Sequence, residues 1–181
     1  MKFYSTRDRE RKQACTLREA AMMGLAPDGG LFVPERIPQA DLAEAERRAA
    51  ESYGSLASYL AGLFFGDDFD MQALRRELES LYDFPVPLRR VGRSRYTLEL
   101  FHGPTCAFKD FGAGFMGRVV GLLGAAGERL VILTATSGDT GSAVAHGFYN
   151  VPGVDVVVLY PEGKISRLQE CQMTALGGNI H

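Results

Sequence analysis

The sequence predicts an α/β protein: a mainly parallel sheet with flanking helices, preceded by a small helical N-terminal module. Three observations carry this prediction. After Arg95, short apolar runs alternate with helical stretches of about 10–15 residues, the pattern of strands joined by crossover helices. Before Arg95, apolar residues recur at helical spacing instead. The charge changes in the same region, because residues 1–95 hold 15 basic and 15 acidic side chains and residues 96–181 hold 5 and 7. The expected division is a helical domain over 1–85 and the start of an α/β domain over 86–181.

Residues 1–10 read as a short strand or arm. A helix is expected from about Thr16 to Met23, with Thr16 as cap, Glu19 three residues on and Gly24 as stop. The segment APDGGLFVPERIP is a turn with a short apolar stretch, and its prolines prevent a long element. Residues 41–52 are rich in helix formers. The helical pattern continues over 55–65, with Leu56, Tyr59, Leu60 and Leu63 at helical spacing. Met71, Leu74, Leu78 and Leu81 form one stripe on a helix over 70–81, which DFPVPL ends. YTLELF, 96–101, is read as the first strand of the parallel sheet, followed by a helix from Asp110 to about Leu123. RLVILTA is a strand over 129–135, and TSGDTG is a turn into a helix reaching about Tyr149. VDVVVLYP is a buried strand, and Ser166 caps a helix lasting to about Leu176. LGGNIH closes that helix where another strand is expected to begin. The α/β region then holds about three crossover units, thin for a doubly covered sheet, so a truncated fold is expected.

Composition excludes several function classes. A chain of 181 residues, 46% hydrophobic and 23% charged, can bury a core without a disordered half. Its net charge of −2 offers nucleic acid or an acidic membrane no attractive surface. No signal-peptide core opens the chain, and no apolar run reaches the length of a membrane span. Three distant cysteines without a CxxC pair, and three histidines, point to free thiols, no metal site and a cytoplasmic setting.

In a parallel sheet, the loops at the carboxyl ends of strands gather at one rim, where ligands bind. Two such loops are unusual. TSGDTG, residues 136–141, offers small side chains, three hydroxyls and a run of backbone N–H groups at a helix start, which suits a carboxylate or phosphate. A capped helix after a tight turn accounts for Ser137, Asp139 and Thr140 equally well. The other loop is HGPTCAFKDFGAG. Its Lys109 is one of only four lysines against sixteen arginines. Phe101, Phe108, Phe111 and Phe115 surround it in sequence, a poorly solvating setting that favours the neutral, nucleophilic amine. The alternative is a solvent-facing lysine in a first helical turn, where a cation opposes the dipole. His102 fits a proton carrier or a loop residue. Asp110 fits a helix-terminal charge better than a catalyst, and His146 fits packing.

The segments LELFHGPTCAFKDFG, ILTATSGDTGSAVAHGFY and VVVLYPEGKISRLQECQMTALGGNI, with GLAPDGGLFVP near the start, together closely resemble the bacterial threonine synthase family. That resemblance covers nearly all of this chain and about the first two-fifths of a usual member. It implies a pyridoxal-phosphate enzyme of tryptophan-synthase-β-like fold (fold type II), converting O-phospho-L-homoserine and water to L-threonine and phosphate. On this likeness Lys109 binds the cofactor aldehyde covalently and then carries protons. Thr136, Ser137, Gly138, Asp139 and Thr140 receive the amino-acid carboxylate, with Ser137 and Asp139 also near the cofactor. Phe108 flanks the lysine. Lys164 and Ser166 match a segment near the family's active site, where placing the substrate phosphate is one role and a plain cap for Ser166 is another. Cys106 replaces the family's usual leucine, and Glu162 a common basic residue. The family's glycine-rich loop for the cofactor phosphate, and the partner of its pyridine nitrogen, correspond to sequence beyond His181. The isolated chain is therefore expected to be inactive. A related β-replacing or dehydrating enzyme, and a non-catalytic binding module, are the competing readings.

Overall fold

A computed structural model describes residues 1–124 and 129–181. The chain divides into two compact units, Met1–Glu79 and Ser80–His181.

The first unit contains β1 (Phe3–Ser5), α1 (Leu17–Met23), β2 (Phe32–Pro34), α2 (Leu42–Glu51), α3 (Tyr53–Phe65) and most of α4 (Met71–Leu81). α1 starts as its sequence dictates. The Thr16 hydroxyl accepts from the Glu19 N–H at 3.2 Å, and Glu19 Oε2 accepts from the Thr16 N–H at 2.7 Å. β1 and β2 pair antiparallel, Phe3 opposite Pro34 through Ser5 opposite Phe32. The helical stretch over 41–65 is two helices because Ser52 is extended (φ −170°, ψ 163°). Its hydroxyl accepts from the Ser55 N–H at 2.9 Å, so one residue ends α2 and caps α3. Phe3, Leu17 and Ala20 form a buried cluster, with Cys15, Phe32, Phe65 and Phe69 packed against it. On α4, Leu74 and Leu78 of the predicted stripe are fully buried.

The second unit contains β3 (Leu88–Arg90), β4 (Tyr96–Leu98), α5 (Lys109–Leu123), β5 (Leu130–Ala135), α6 (Asp139–Phe148), β6 (Val154–Leu159) and α7 (Arg167–Thr174). Here the structure corrects the expected sheet. Residues 96–98 do not start a parallel sheet; they pair antiparallel with β3, Leu88 opposite Leu98 through Arg90 opposite Tyr96. Every residue of this hairpin is exposed. The cause is local: Val91 and Gly92 both donate to the Arg95 carbonyl, at 3.0 and 3.2 Å, and fold the chain back on itself.

The parallel pair is β5 with β6, in register from Leu130–Val154 to Ala135–Leu159, and α6 joins them. The strand expected after Gly178 begins on the other side of β6. Val156 donates to the Asn179 carbonyl and His181 donates to the Val156 carbonyl, both at 2.8 Å. Ile180 thereby forms a parallel bridge with Val156. The described residues hold one complete crossover where about three were expected. Asn179 pins this corner: its amide donates to the carbonyls of Phe148 and Val154, each at 2.9 Å, and its oxygen accepts from the Asn150 N–H at 2.8 Å.

α5 and α6 cross closely because glycines face each other. A Cβ on Gly117 would collide with the Gly147 carbonyl oxygen, and one on Gly147 would lie 2.6 Å from the Ala113 carbonyl. Neither obstacle is a movable side-chain end. A Cβ on Gly121 would meet only Val151 Cγ1, at an ordinary 3.5 Å. We therefore expect Gly117→Ala to destabilise the chain by about 1–3 kcal/mol. Gly121→Ala should leave stability unchanged or slightly raised by helix propensity. Thermal unfolding of both variants checks this, and equal shifts would contradict the close crossing.

Candidate active site

The site is built where two helices begin. α5 starts at Lys109 after a tight turn in which the Cys106 N–H donates to the Gly103 carbonyl at 3.1 Å. Cys106 occupies left-handed backbone there, φ 57°. α6 starts at Asp139, directly after Gly138 at φ 152°. These two helix starts face one another: Lys109 Nζ donates to Asp139 Oδ2 at 2.7 Å. The ammonium also stands 4.9 Å from the centroid of the Phe108 ring.

The surroundings of Lys109 are thus more ionic than its sequence neighbours suggest. Phe111 turns away, packing on Tyr82 and Phe84 with centroids 5.7 and 5.4 Å off. Phe101 lies against His102 instead, at 4.7 Å. Phe108 is the aromatic ring that stands beside the amine.

The 136–141 loop also differs from a simple row of vacant donors. Thr136 Oγ1 accepts from the N–H groups of Gly138 and Gly141, both at 3.0 Å, so the hydroxyl shapes the loop and uses two of its donors. The carboxylate of Asp139 lies by the backbone N–H groups of Thr140 and Asp139 itself. The Lys109 hydrogen bond first, then the amine's charge and these N–H groups, hold the Asp139 carboxyl below its usual range, against a partial desolvation that raises it. A group depressed in the folded state contributes stability above its unfolded pKa and loses it as pH falls through the folded value. Wild type should therefore lose stability relative to Asp139→Asn as the medium is acidified below the normal aspartate range. Because Asp139 is half exposed, the difference should be small. Acid titration of the two proteins, followed by circular dichroism, measures it.

Beside the ion pair opens a cleft of about 860 Å³, whose lining includes Leu98, Phe101, Phe108, Asp139, Ser166 and Gln169. The lining combines apolar and aromatic side chains with hydroxyl, amide and carboxylate groups. Ser166 both lines this cleft and caps α7, its hydroxyl accepting from the Gln169 N–H at 3.3 Å. Ser137 is exposed and Thr140 half-buried at the start of α6. Lys164 is exposed in the turn where its N–H donates to the Pro161 carbonyl at 3.1 Å, and it does not line the cleft. His102 is not brought to the cleft either. Its Nε2 is hydrogen-bonded with Glu99 Oε2 at 2.8 Å, and it lines a separate cavity of about 380 Å³ with His146 and Asp110.

One residue of the cleft escapes sequence reasoning. The Gln169 amide lies over Gly138 so closely that a Cβ there would strike it, with Oε1 2.8 Å away. The available signal was its place three residues after the Ser166 cap, which puts it on the helix face turned toward the capping loop. Among the described residues no group of His, Cys, Asp and Glu is arranged to hold a metal ion. No helix among them is long and apolar enough to cross a membrane.

Residues 2–82 match the family model described as Threonine synthase N terminus. A threonine synthase of Serratia marcescens is 43% identical over 182 aligned residues, covering 100% of this chain and 42% of that protein. The crystal structure of threonine synthase from Escherichia coli superposes with a TM-score of 0.85 at 41% identity, covering 100% of this chain and 42% of its own. The structure of a PLP-bound threonine synthase from Brucella melitensis gives 0.89 at 33% identity, covering 100% and 40%. The chain thus spans about two-fifths of the length of the relatives it matches.

Proposed function

We propose that the chain belongs to the threonine synthase family, to which it is similar over its whole length, and forms the lysine-bearing part of a pyridoxal-phosphate-dependent threonine synthase. In this reading the whole enzyme converts O-phospho-L-homoserine and water to L-threonine and phosphate in the cytoplasm. Residues 1–85 are its N-terminal helical domain, and 86–181 begin a catalytic domain of tryptophan-synthase-β-like fold, which the β5–α6–β6 crossover supports. The observation that carries the proposal is the meeting of Lys109 and Asp139 at the edge of a half-aromatic cleft.

The residues present fit a planar, anionic pyridine aldehyde. Lys109 supplies a primary amine, Phe108 an aromatic wall, and the start of α6 backbone donors for negative charge. When bound, the cofactor supplies an electron sink for charge developing on the substrate carbons. Lys109 would hold the cofactor's aldehyde carbon and, when free of it, would move protons at the substrate's Cα and Cβ. Asp139, which lines the cleft, holds the amine at its edge. Ser137 and Thr140, with the donors of the 136–141 loop, receive the substrate carboxylate, while Thr136 Oγ1 fixes the loop's shape. Gly138 leaves the backbone bare of a side chain where a ligand must approach. Ser166 offers a hydroxyl in the cleft lining. We assign no chemical step to Phe108, His102 or Lys164.

These residues hold the aldehyde end of the site, and turnover is proposed to need the rest of the fold. The test is a chimera in which residues 1–181 replace the matching part of the Escherichia coli enzyme. It should release phosphate from O-phospho-L-homoserine and form threonine. A folded chimera that is silent, or one making 2-oxobutanoate from threonine or pyruvate from serine instead, would contradict the proposal.

A further inference from the structure

We propose that Asp110, buried behind Lys109, is a positioning residue that clamps the turn bearing the reactive amine. This rests on the reading of Lys109 given above. Asp110 is only 5% exposed, a burial that charged side chains reach only when paired. Both of its oxygens are engaged by one residue five positions earlier. Oδ2 accepts from the Thr105 N–H at 3.0 Å, and Oδ1 accepts from the Thr105 hydroxyl at 2.5 Å. Thr105 is itself 7% exposed. Gly103 presses on the same carboxylate, where a Cβ would come 2.5 Å from Oδ2.

These contacts close a loop from Gly103 to Asp110, and Lys109 lies within it. Backbone bonds from Cys106 to the Gly103 carbonyl and from Asp110 to the Ala107 carbonyl, each at 3.1 Å, complete the arc. The cap of α5 contributes no side-chain bond, because Phe108 has no acceptor to offer. The buried carboxylate instead ties the turn before the helix, through Thr105, to the helix's first residues. Hydrogen bonds to an ionised acceptor are about twice as strong as neutral ones. Holding both oxygens fixes the side-chain rotamer, and with it the direction in which the neighbouring Lys109 leaves the backbone. An amide would hold the turn more weakly: asparagine could accept from the Thr105 N–H and donate to the Thr105 hydroxyl, but neither bond would be charge-assisted.

The chain contains its own internal control, because Lys109 competes with Lys2, Lys12 and Lys164 for an added aldehyde. The full chain is exposed to pyridoxal phosphate, reduced with borohydride at intervals, and the rate of labelling at each lysine is read by peptide mass spectrometry. Trapping needs only a transient encounter, so weak affinity suffices. Wild type should label fastest at Lys109. In Asp110→Ala and Thr105→Val the Lys109 rate should fall by about tenfold to a hundredfold. Rates at the other three lysines should not change, and Thr105→Ser should retain the wild-type rate. If Asp110→Ala does not fold, the contrast between the nearly isosteric Thr105→Val and Thr105→Ser decides. Preference for Lys109 that persists in the variants overturns the clamp alone. Wild type with no preference for Lys109 overturns the functional reading, and the clamp with it.

Discussion

Replacing Lys109 with alanine should lower threonine formation by the chimera by at least about a thousandfold, because the group that attaches the cofactor is removed rather than weakened. The visible absorbance that pyridoxal phosphate gains on attachment to the protein should disappear with it. The fold should survive: the partner left behind, Asp139, has about half its side chain in water and can be solvated. Lys109→Arg separates chemistry from charge. A guanidinium can still face the Asp139 carboxylate, but it cannot take the place of a primary amine on an aldehyde. Arginine should therefore be as inactive as alanine, with the ion pair and stability retained. Appreciable activity in either variant would contradict the role of Lys109.

Gly138→Val should be the next most damaging change. Gly138 sits at φ 152°, a region that a β-branched residue adopts only with strain of about 1–3 kcal/mol. Its new Cβ would also meet the Gln169 amide, a flexible side-chain end that can give way, so the backbone strain decides. Relief would come from moving the 136–141 loop, which we propose holds the substrate carboxylate. If that cost falls on the bound state, the chimera's kcat/KM drops by about 5- to 150-fold. Cys106→Leu provides the contrast. Cys106 already carries a Cβ at its positive φ and is exposed, so leucine adds bulk without new backbone strain. Its effect should be far smaller, and equal kinetic damage from the two changes, at unchanged folding, would contradict the account.

Helices and caps were legible wherever the determining interaction is local. The stripe of α4 and the Thr16–Glu19 box need only residues a turn apart, and both form as read. The break at Ser52 was not legible, because serine serves a helix interior and a cap with similar local ease until tertiary packing chooses. YTLELF was misplaced for a related reason. A short apolar run announces extended backbone but not its partner, and the turn over 91–95 made the partner the adjacent arginine-bearing strand. The site was legible as two unusual loops, yet their meeting joins residues thirty positions apart and no local rule reports it. Asp110 read as a helix-terminal charge because spacing does not reveal burial. The Thr136 hydroxyl read as one more ligand group, and only the fold shows it turned inward onto Gly138 and Gly141.

The central claim is that Lys109, held against Asp139 at the cleft, is the amine that takes the cofactor aldehyde. The most direct measurement is the peptide map of the folded, borohydride-reduced chain after exposure to pyridoxal phosphate. The account predicts the pyridoxyl mass on the peptide containing Lys109, ahead of Lys2, Lys12 and Lys164. Label confined to Lys164, or spread evenly over the four lysines, would contradict it.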